Sequence, residues 1–222
     1  MLRIGHRGAK GHCPENTLES FEKAIELGCH GIELDIHCSK DRIPFVIHDA
    51  TLNRTMEVCG NVADKDSAEL SIICVSGIPT LRNVLDLVNR RCLVNIELKS
   101  DDSAEPVVEL ISEFISRKSW TYSDFLVSSF NWEMLQKVRS ADAKIPIGVL
   151  TSTNIELAIN FATFLKAEAV HPYFHLLNVE NVGHMTRQGL KIFAWTVNEP
   201  QDITFVKSLN VTGIISDYPE RI

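Results

Sequence analysis

At 222 residues, 45% of them hydrophobic, the chain can build one α/β barrel with a large core. A formal net charge of -7, from 29 acidic and 22 basic side chains without any Lys/Arg run, excludes a nucleic-acid backbone as the main partner. The six cysteines show no C-x-x-C spacing, which excludes a zinc knuckle or a redox pair, and no apolar stretch is long enough to span a membrane.

Cys13, Cys29, Cys38, Cys59, Cys74 and Cys92 are therefore expected to be isolated buried thiols. With no basic and apolar leader ahead of the first strand-like run, the expected compartment is the reducing cytoplasm. Residues 2–7 form a short predicted strand ending in His6-Arg7-Gly8, where glycine permits a sharp turn. Asn16 as N-cap and Glu19 three residues on suggest a capping box. The helix it opens carries Leu18, Phe21 and Ile25 on one stripe and stops at Gly28.

The next stretch, Gly31 to Ile36, alternates strictly. Glu33 and Asp35 share one face, and Ile32, Leu34 and Ile36 share the other. A polar turn, Ser39 to Ile43, leads to the return arm Pro44 to Asp49. A turn centred between Asp41 and Arg42 sets His48 directly opposite Asp35, whereas an odd-length loop turns His48 to the far face. Residues 50–78 have no persistent period and suggest an irregular insertion or small lid.

Regularity resumes at Pro79-Thr80-Leu81, which opens a helix with Leu81, Val84, Leu85 and Val88 on one face. In the following strand Val94, Ile96 and Leu98 alternate with Asn95, Glu97 and Lys99. Helices are then expected near 104–117, 131–140, 154–164, 178–188 and 200–208, and strands near 125–129, 145–150, 169–171, 191–197 and 213–217. With the return arm left out, the strands beginning near 2, 31, 93, 125, 145, 169, 191 and 213 call for a closed TIM-type (β/α)8 barrel. The expected domain is 1–222, one barrel unit, with an insertion at about 50–78 and a last helix missing or reduced to a stub.

A barrel interior is normally filled by branched apolar side chains, so inward Glu33, Asp35 and Glu97 need a compensating charge. Three carboxylates near the C-terminal rim suit a hard divalent cation, Mg2+ or Ca2+. His6, Arg7 and Lys99 end strands at the same rim. Two histidines beside a cation can serve as base and acid while Arg7 and Lys99 neutralise an anionic ester, a combination suited to phosphodiester cleavage.

In this order, the runs His6-Arg7-Gly8, Pro14-Glu15-Asn16-Thr17, Glu33-Leu34-Asp35, Val46-Ile47-His48-Asp49, Pro79-Thr80-Leu81, Asn95-Ile96-Glu97-Leu98-Lys99, Ser128-Ser129-Phe130, Trp195-Thr196-Val197-Asn198 and Gly213 to Pro219 resemble the glycerophosphodiester phosphodiesterase family. The resemblance implies a barrel enzyme that hydrolyses small-molecule glycerophosphodiesters, such as glycerophosphocholine or glycerophosphoethanolamine, to glycerol 3-phosphate and an alcohol. It implies Glu33, Asp35 and Glu97 as metal ligands, His6 and His48 as the acid-base pair, Arg7 and Lys99 on phosphate, and Trp195 facing the glycerol or leaving-group side. Arg42 departs from the family's turn glycine.

Competing readings are weaker. A glycosidase built on Glu33 and Glu97 leaves His6, His48, Arg7 and Lys99 without a role. A catalytically silent barrel that binds a phosphoester or a protein partner would be expected to have lost a histidine or a metal ligand. Taken singly, Trp195 suits packing at the barrel mouth, His171 is one of many polar strand ends, Asn16 is a helix cap and Glu15 a neighbour of Arg7.

Overall fold

The computed structural model describes residues 1–73 and 77–222. Strand β1 (Leu2–Gly5) is followed by α1 (Leu18–Glu26), β2 (Gly31–Cys38) and β3 (Pro44–Val46). The insertion holds α2 (Asn53–Met56) and α3 (Ser67–Ile73), and α4 (Leu81–Val88) leads into β4 (Leu93–Leu98). Helix and strand then alternate through α5 (Ala104–Arg117), β5 (Phe125–Ser129), α6 (Trp132–Ala141), β6 (Ile147–Thr151), α7 (Ile155–Leu165), β7 (Ala169–Pro172), α8 (Val179–Arg187), β8 (Lys191–Ala194), α9 (Pro200–Ser208) and β9 (Gly213–Ser216). A 3-10 turn, Pro219–Arg221, stands where an eighth outer helix would follow.

β1 pairs in parallel with β2 on one side and β9 on the other, which closes the ring. Of the nine strands among the described residues, only β3 pairs antiparallel, lying outside the ring on β2, so eight parallel staves remain. This is the TIM-type barrel expected from the alternation. Outward residues such as Leu34, Ile36, Ile96 and Val127 pack under the helices in one continuous core with Leu81, Leu85, Ile111 and Leu135. α4 starts where the sequence places it, because Thr80 and Asn83 cap each other reciprocally.

Inside the ring each stave changes character along its length. Leu2, Ile4, Leu93, Leu126, Ala169, Phe193 and Ile215 form an apolar floor. One pleat repeat further on stand His6, Asn95, Ser128, His171, Trp195 and Asp217. Cross-strand register puts Glu33 beside Asn95, and Asp35 beside Glu97, which is itself beside Ser128. The polar end of the barrel is thus a property of strand phase.

Three expectations are corrected. The β2–β3 ladder pairs Ile36 with Val46 and His37 with Phe45, one residue off the register that sets His48 opposite Asp35. The loop is odd because Ser39 N–H donates to the Ile43 carbonyl, and Arg42 takes the left-handed conformation (φ 64°) that the usual turn glycine supplies. His48 still reaches the barrel mouth because the strand stops at Val46 and the chain bends away from the ladder. The cap of α1 is Thr17, whose hydroxyl accepts from Ser20 N–H, while Asn16 (φ 58°) is released to point elsewhere. Finally, Cys59 is exposed and Cys13 half-buried; only Cys29, Cys38 and Cys92 fit the buried expectation, and Cys74 lies outside the described residues.

The insertion is less irregular than its sequence. Leu52, Val62, Leu70 and Ile78 make a small core with Phe45 and Ile47 of the return arm. The Asp41 carboxylate accepts from both the amide and hydroxyl of Ser67 and from the Ser39 hydroxyl, which fastens α3 to the hairpin.

Candidate active site

β2 supplies Glu33 and Asp35, and β4 supplies Glu97, all three buried. One carboxylate oxygen from each lies within 4.8 Å of the others. Burial, reinforced by the charges of Asp35 and Glu97, raises the Glu33 pKa well above the ordinary value. Burial and the Asp35 charge likewise push Glu97 up to about 7, against the pull of Lys99. A hard divalent cation relieves this repulsion with the oxygen donors it prefers, so the residues present fit such an ion.

Cationic and amide groups hold the trio in place. Arg7 N–H donates to Glu33 Oε2 (2.9 Å), and its Nε lies 3.2 Å from Asp35 Oδ2. Asn16 Nδ2 donates to that same Asp35 oxygen at 2.9 Å. Lys99 Nζ donates to Glu97 Oε1 (2.8 Å) and lies 3.5 Å from Asp35 Oδ1. Burial would lower the Lys99 pKa, but Glu97 and Asp35 outweigh it, and the ammonium stays charged.

The histidines share one design. His6 Nδ1 meets Asp217 Oδ1 at 2.6 Å, and Asp217 Oδ2 accepts from Asn198 Nδ2 at 2.8 Å. His48 Nδ1 meets Asp49 Oδ1 at 2.7 Å, and His37 Nε2 donates to the His48 carbonyl at 3.1 Å. In each ring the carboxylate engages Nδ1 and leaves Nε2 for other work. Burial lowers the His6 pKa in spite of the Asp217 hydrogen bond. A neutral His6 can accept a proton.

His6, Arg7, Glu33, His48, Glu97, Lys99 and Trp195 line one cavity at the polar end of the barrel. Asp35 is not in the lining itself but touches two lining residues, Arg7 and Lys99. Trp195 donates its indole N–H to the His171 carbonyl (2.8 Å) and packs edge-on against half-exposed Phe130, so one side of the mouth is aromatic. His171 is buried in the cavity lining, and burial holds its pKa at about 3, so it is neutral.

Asn16, set aside in the sequence as a helix cap, is instead the amide that grips Asp35. Glu15 pairs with Arg7 as expected, yet it also accepts from Arg54 of the insertion. Asp49 is adjacent to His48 in the chain, and that adjacency was the available signal for its role. Arg54 was missed although Asp49 stands five residues upstream, because its second partner, Glu15, lies in a separate loop.

Residues 6–221 match the glycerophosphoryl diester phosphodiesterase family. The chain is 34% identical over 235 residues to a glycerophosphodiester phosphodiesterase of Caldanaerobacter subterraneus, covering all of this chain and 96% of that protein. A glycerophosphodiester phosphodiesterase of Bacillus altitudinis is 35% identical over 245 residues, again with all of this chain and 96% of the relative aligned. Among solved structures, the glycerophosphodiester phosphodiesterase of Thermotoga maritima superposes with a TM-score of 0.86 at 30% identity, covering 99% of this chain and 96% of that one. A phosphodiesterase of Oleispira antarctica in complex with the product sn-glycerol-3-phosphate gives a TM-score of 0.89 at 27% identity over 99% and 94% of the two chains. Family match and full-length identity agree with the barrel and its polar mouth, and the chain belongs to the glycerophosphoryl diester phosphodiesterase family, whose enzymes hydrolyse glycerophosphodiesters.

Proposed function

We propose that this enzyme hydrolyses glycerophosphodiesters such as glycerophosphocholine or glycerophosphoethanolamine to glycerol 3-phosphate and an alcohol by paired histidine catalysis. The observation that carries the reading is that two histidines line one cavity, each with Nδ1 engaged by a carboxylate, beside three buried acids. The product seen in the Oleispira antarctica structure supports glycerol 3-phosphate as the part retained.

Glu33, Asp35 and Glu97 would hold Mg2+ or Ca2+, which when bound withdraws electrons from a phosphoryl oxygen and acidifies a nearby hydroxyl. Arg7 and Lys99 balance the phosphate charge. His6, whose burial favours the neutral ring, takes the proton from the attacking oxygen, either the glycerol 2-hydroxyl or water. A new P–O bond forms as the P–O bond to the alcohol breaks, and His48 protonates the departing alkoxide. If the 2-hydroxyl attacks, the cyclic phosphate is opened by water with the proton roles reversed. Trp195 and Phe130 face the organic part of the substrate.

A silent barrel would lack one of these groups, and all are present. Residues 1–222, including the insertion at about 50–78, act as one catalytic unit in this reading. The free thiols among the described residues support a reducing compartment, the cytoplasm. The test is glycerol 3-phosphate release from glycerophosphocholine. His48→Ala should lower kcat about 10²- to 10⁴-fold, and EDTA should abolish activity until Mg2+ or Ca2+ is restored. Undiminished activity in EDTA would remove the metal role, and undiminished activity of His48→Ala the acid.

A further inference from the structure

We infer that Arg54, on the short helix α2 of the insertion, is a positioning residue that holds both the proton donor and the phosphate clamp of the barrel. Its Nε donates to Asp49 Oδ2 at 2.6 Å, and its Nη2 lies 3.2 Å from Asp49 Oδ1. That second oxygen is the one engaged by His48 Nδ1. The same Nη2 donates at 2.7 Å to Glu15 Oε1, which also accepts from Arg7 Nη1 at 2.9 Å. One guanidinium therefore bridges two carboxylates, each holding a different cationic or acid-base group of the site.

The electrostatics fit an organised bridge. Burial would raise the Glu15 carboxyl, but Arg54 and Arg7 outweigh it and hold the group at about 2. Hydrogen bonds from Arg54 first and His48 second keep Asp49 ionised far below the usual range. An Asp49 without Arg54 has one ordered partner instead of two and can rotate, taking the His48 ring with it. A Glu15 without Arg54 holds Arg7 alone. A guanidinium fork suits this task because it can address two carboxylates at once, which an ammonium cannot. The bridge also gives the insertion a function. It is the element that completes the alignment of His48, which the return arm alone leaves outside the barrel ladder.

This inference rests on the reading of His48 as the acid that protonates the leaving alkoxide, so its test uses the leaving group. Arg54→Ala, Arg54→Lys and His48→Ala are assayed on glycerophosphocholine and on the p-nitrophenyl diester of glycerol 3-phosphate, whose p-nitrophenolate departs without a proton. Arg54→Ala should lose about 10- to 100-fold in kcat on the choline ester and far less on the p-nitrophenyl ester. Its KM should rise on both, because Arg7 is loosened. Millimolar guanidinium should restore part of the loss, and Arg54→Lys should stay impaired with an unchanged melting temperature. Equal losses on the two esters, or a loss that guanidinium does not relieve, would overturn the inference if His48→Ala retains the leaving-group bias. No bias in His48→Ala itself overturns the acid assignment and the Asp49 branch with it, and the KM of Arg54→Ala then decides the Arg7 branch alone.

Discussion

Glu97 holds a proton that an exposed carboxyl would release, since burial and Asp35 push its pKa to about 7 from an ordinary 4.5. A carboxyl raised on folding stabilises the protein below its unfolded value, and that contribution is lost as pH rises through the folded one. Glu33, raised by burial and by the Asp35 and Glu97 charges, acts in the same direction. His6, His37 and His171 are lowered on folding and act oppositely below 6.5, so the clean comparison is with Glu97→Gln, which keeps the histidines. In metal-free protein, Glu97→Gln should gain melting temperature over wild type as pH goes from about 5 to about 8. If Glu97 is a ligand as proposed, saturating Mg2+ or Ca2+ should reverse the order at the upper end, because a cation stabilises only the chain that keeps its ligands. Thermal melts of both proteins with and without cation decide it. The acids and Lys99 were visible in the sequence because strand alternation assigns a face to each, and His6 and Arg7 because they stand at the end of a strand on the same rim. Asn16, Asp49 and Arg54 were not, because their roles depend on loops whose paths no periodicity describes.

At the scale of elements, the β2–β3 hairpin shows where sequence reasoning reaches and where it fails. Both arms were readable from alternation, but register depends on loop parity. That parity was set by one residue, Arg42, in a conformation its type disfavours. Helix starts were better specified where the cap was unambiguous, as at Thr80, than where Asn16 and Thr17 competed. The insertion looked aperiodic because its core is shared with the return arm, so half of its pattern lies outside the segment. Arg42→Gly should stabilise the fold by a few tenths to about 1 kcal/mol, the left-handed strain removed less the added freedom of the unfolded chain. The exposed Arg42–Glu105 pair it sacrifices is worth little. The register is unchanged, so glycerophosphodiester hydrolysis should be unchanged too; chemical denaturation and an activity assay check both statements.

Across the whole molecule, the alternation of helix and strand called for a parallel α/β fold, and its count of eight units is the one that closes a barrel. What the alternation cannot specify is which end of the barrel is dry. The structure separates the two: an apolar floor of Ile4, Leu126, Phe193 and Ile215, and a polar mouth one pleat above. Stability and chemistry should therefore respond to different substitutions. Leu126→Ala, in the floor, should cost about 2 to 5 kcal/mol of folding free energy and leave KM for glycerophosphocholine unchanged at temperatures where the variant is folded. Denaturant unfolding alongside steady-state kinetics measures both, and a large KM change would mean that floor and mouth are mechanically one unit.

The ring closes where β1 meets β9, and the hydrogen bond from His6 to Asp217 lies on that closure. The proton acceptor proposed for the first step thus borrows its alignment from a stave made more than two hundred residues later. Without β9 and Asp217 the acids, both histidines and the insertion would remain, but the carboxylate that meets His6 and the edge that seals the ring would be gone. In the proposed mechanism the orientation of His6 therefore depends on the same β1–β9 contact that seals the ring.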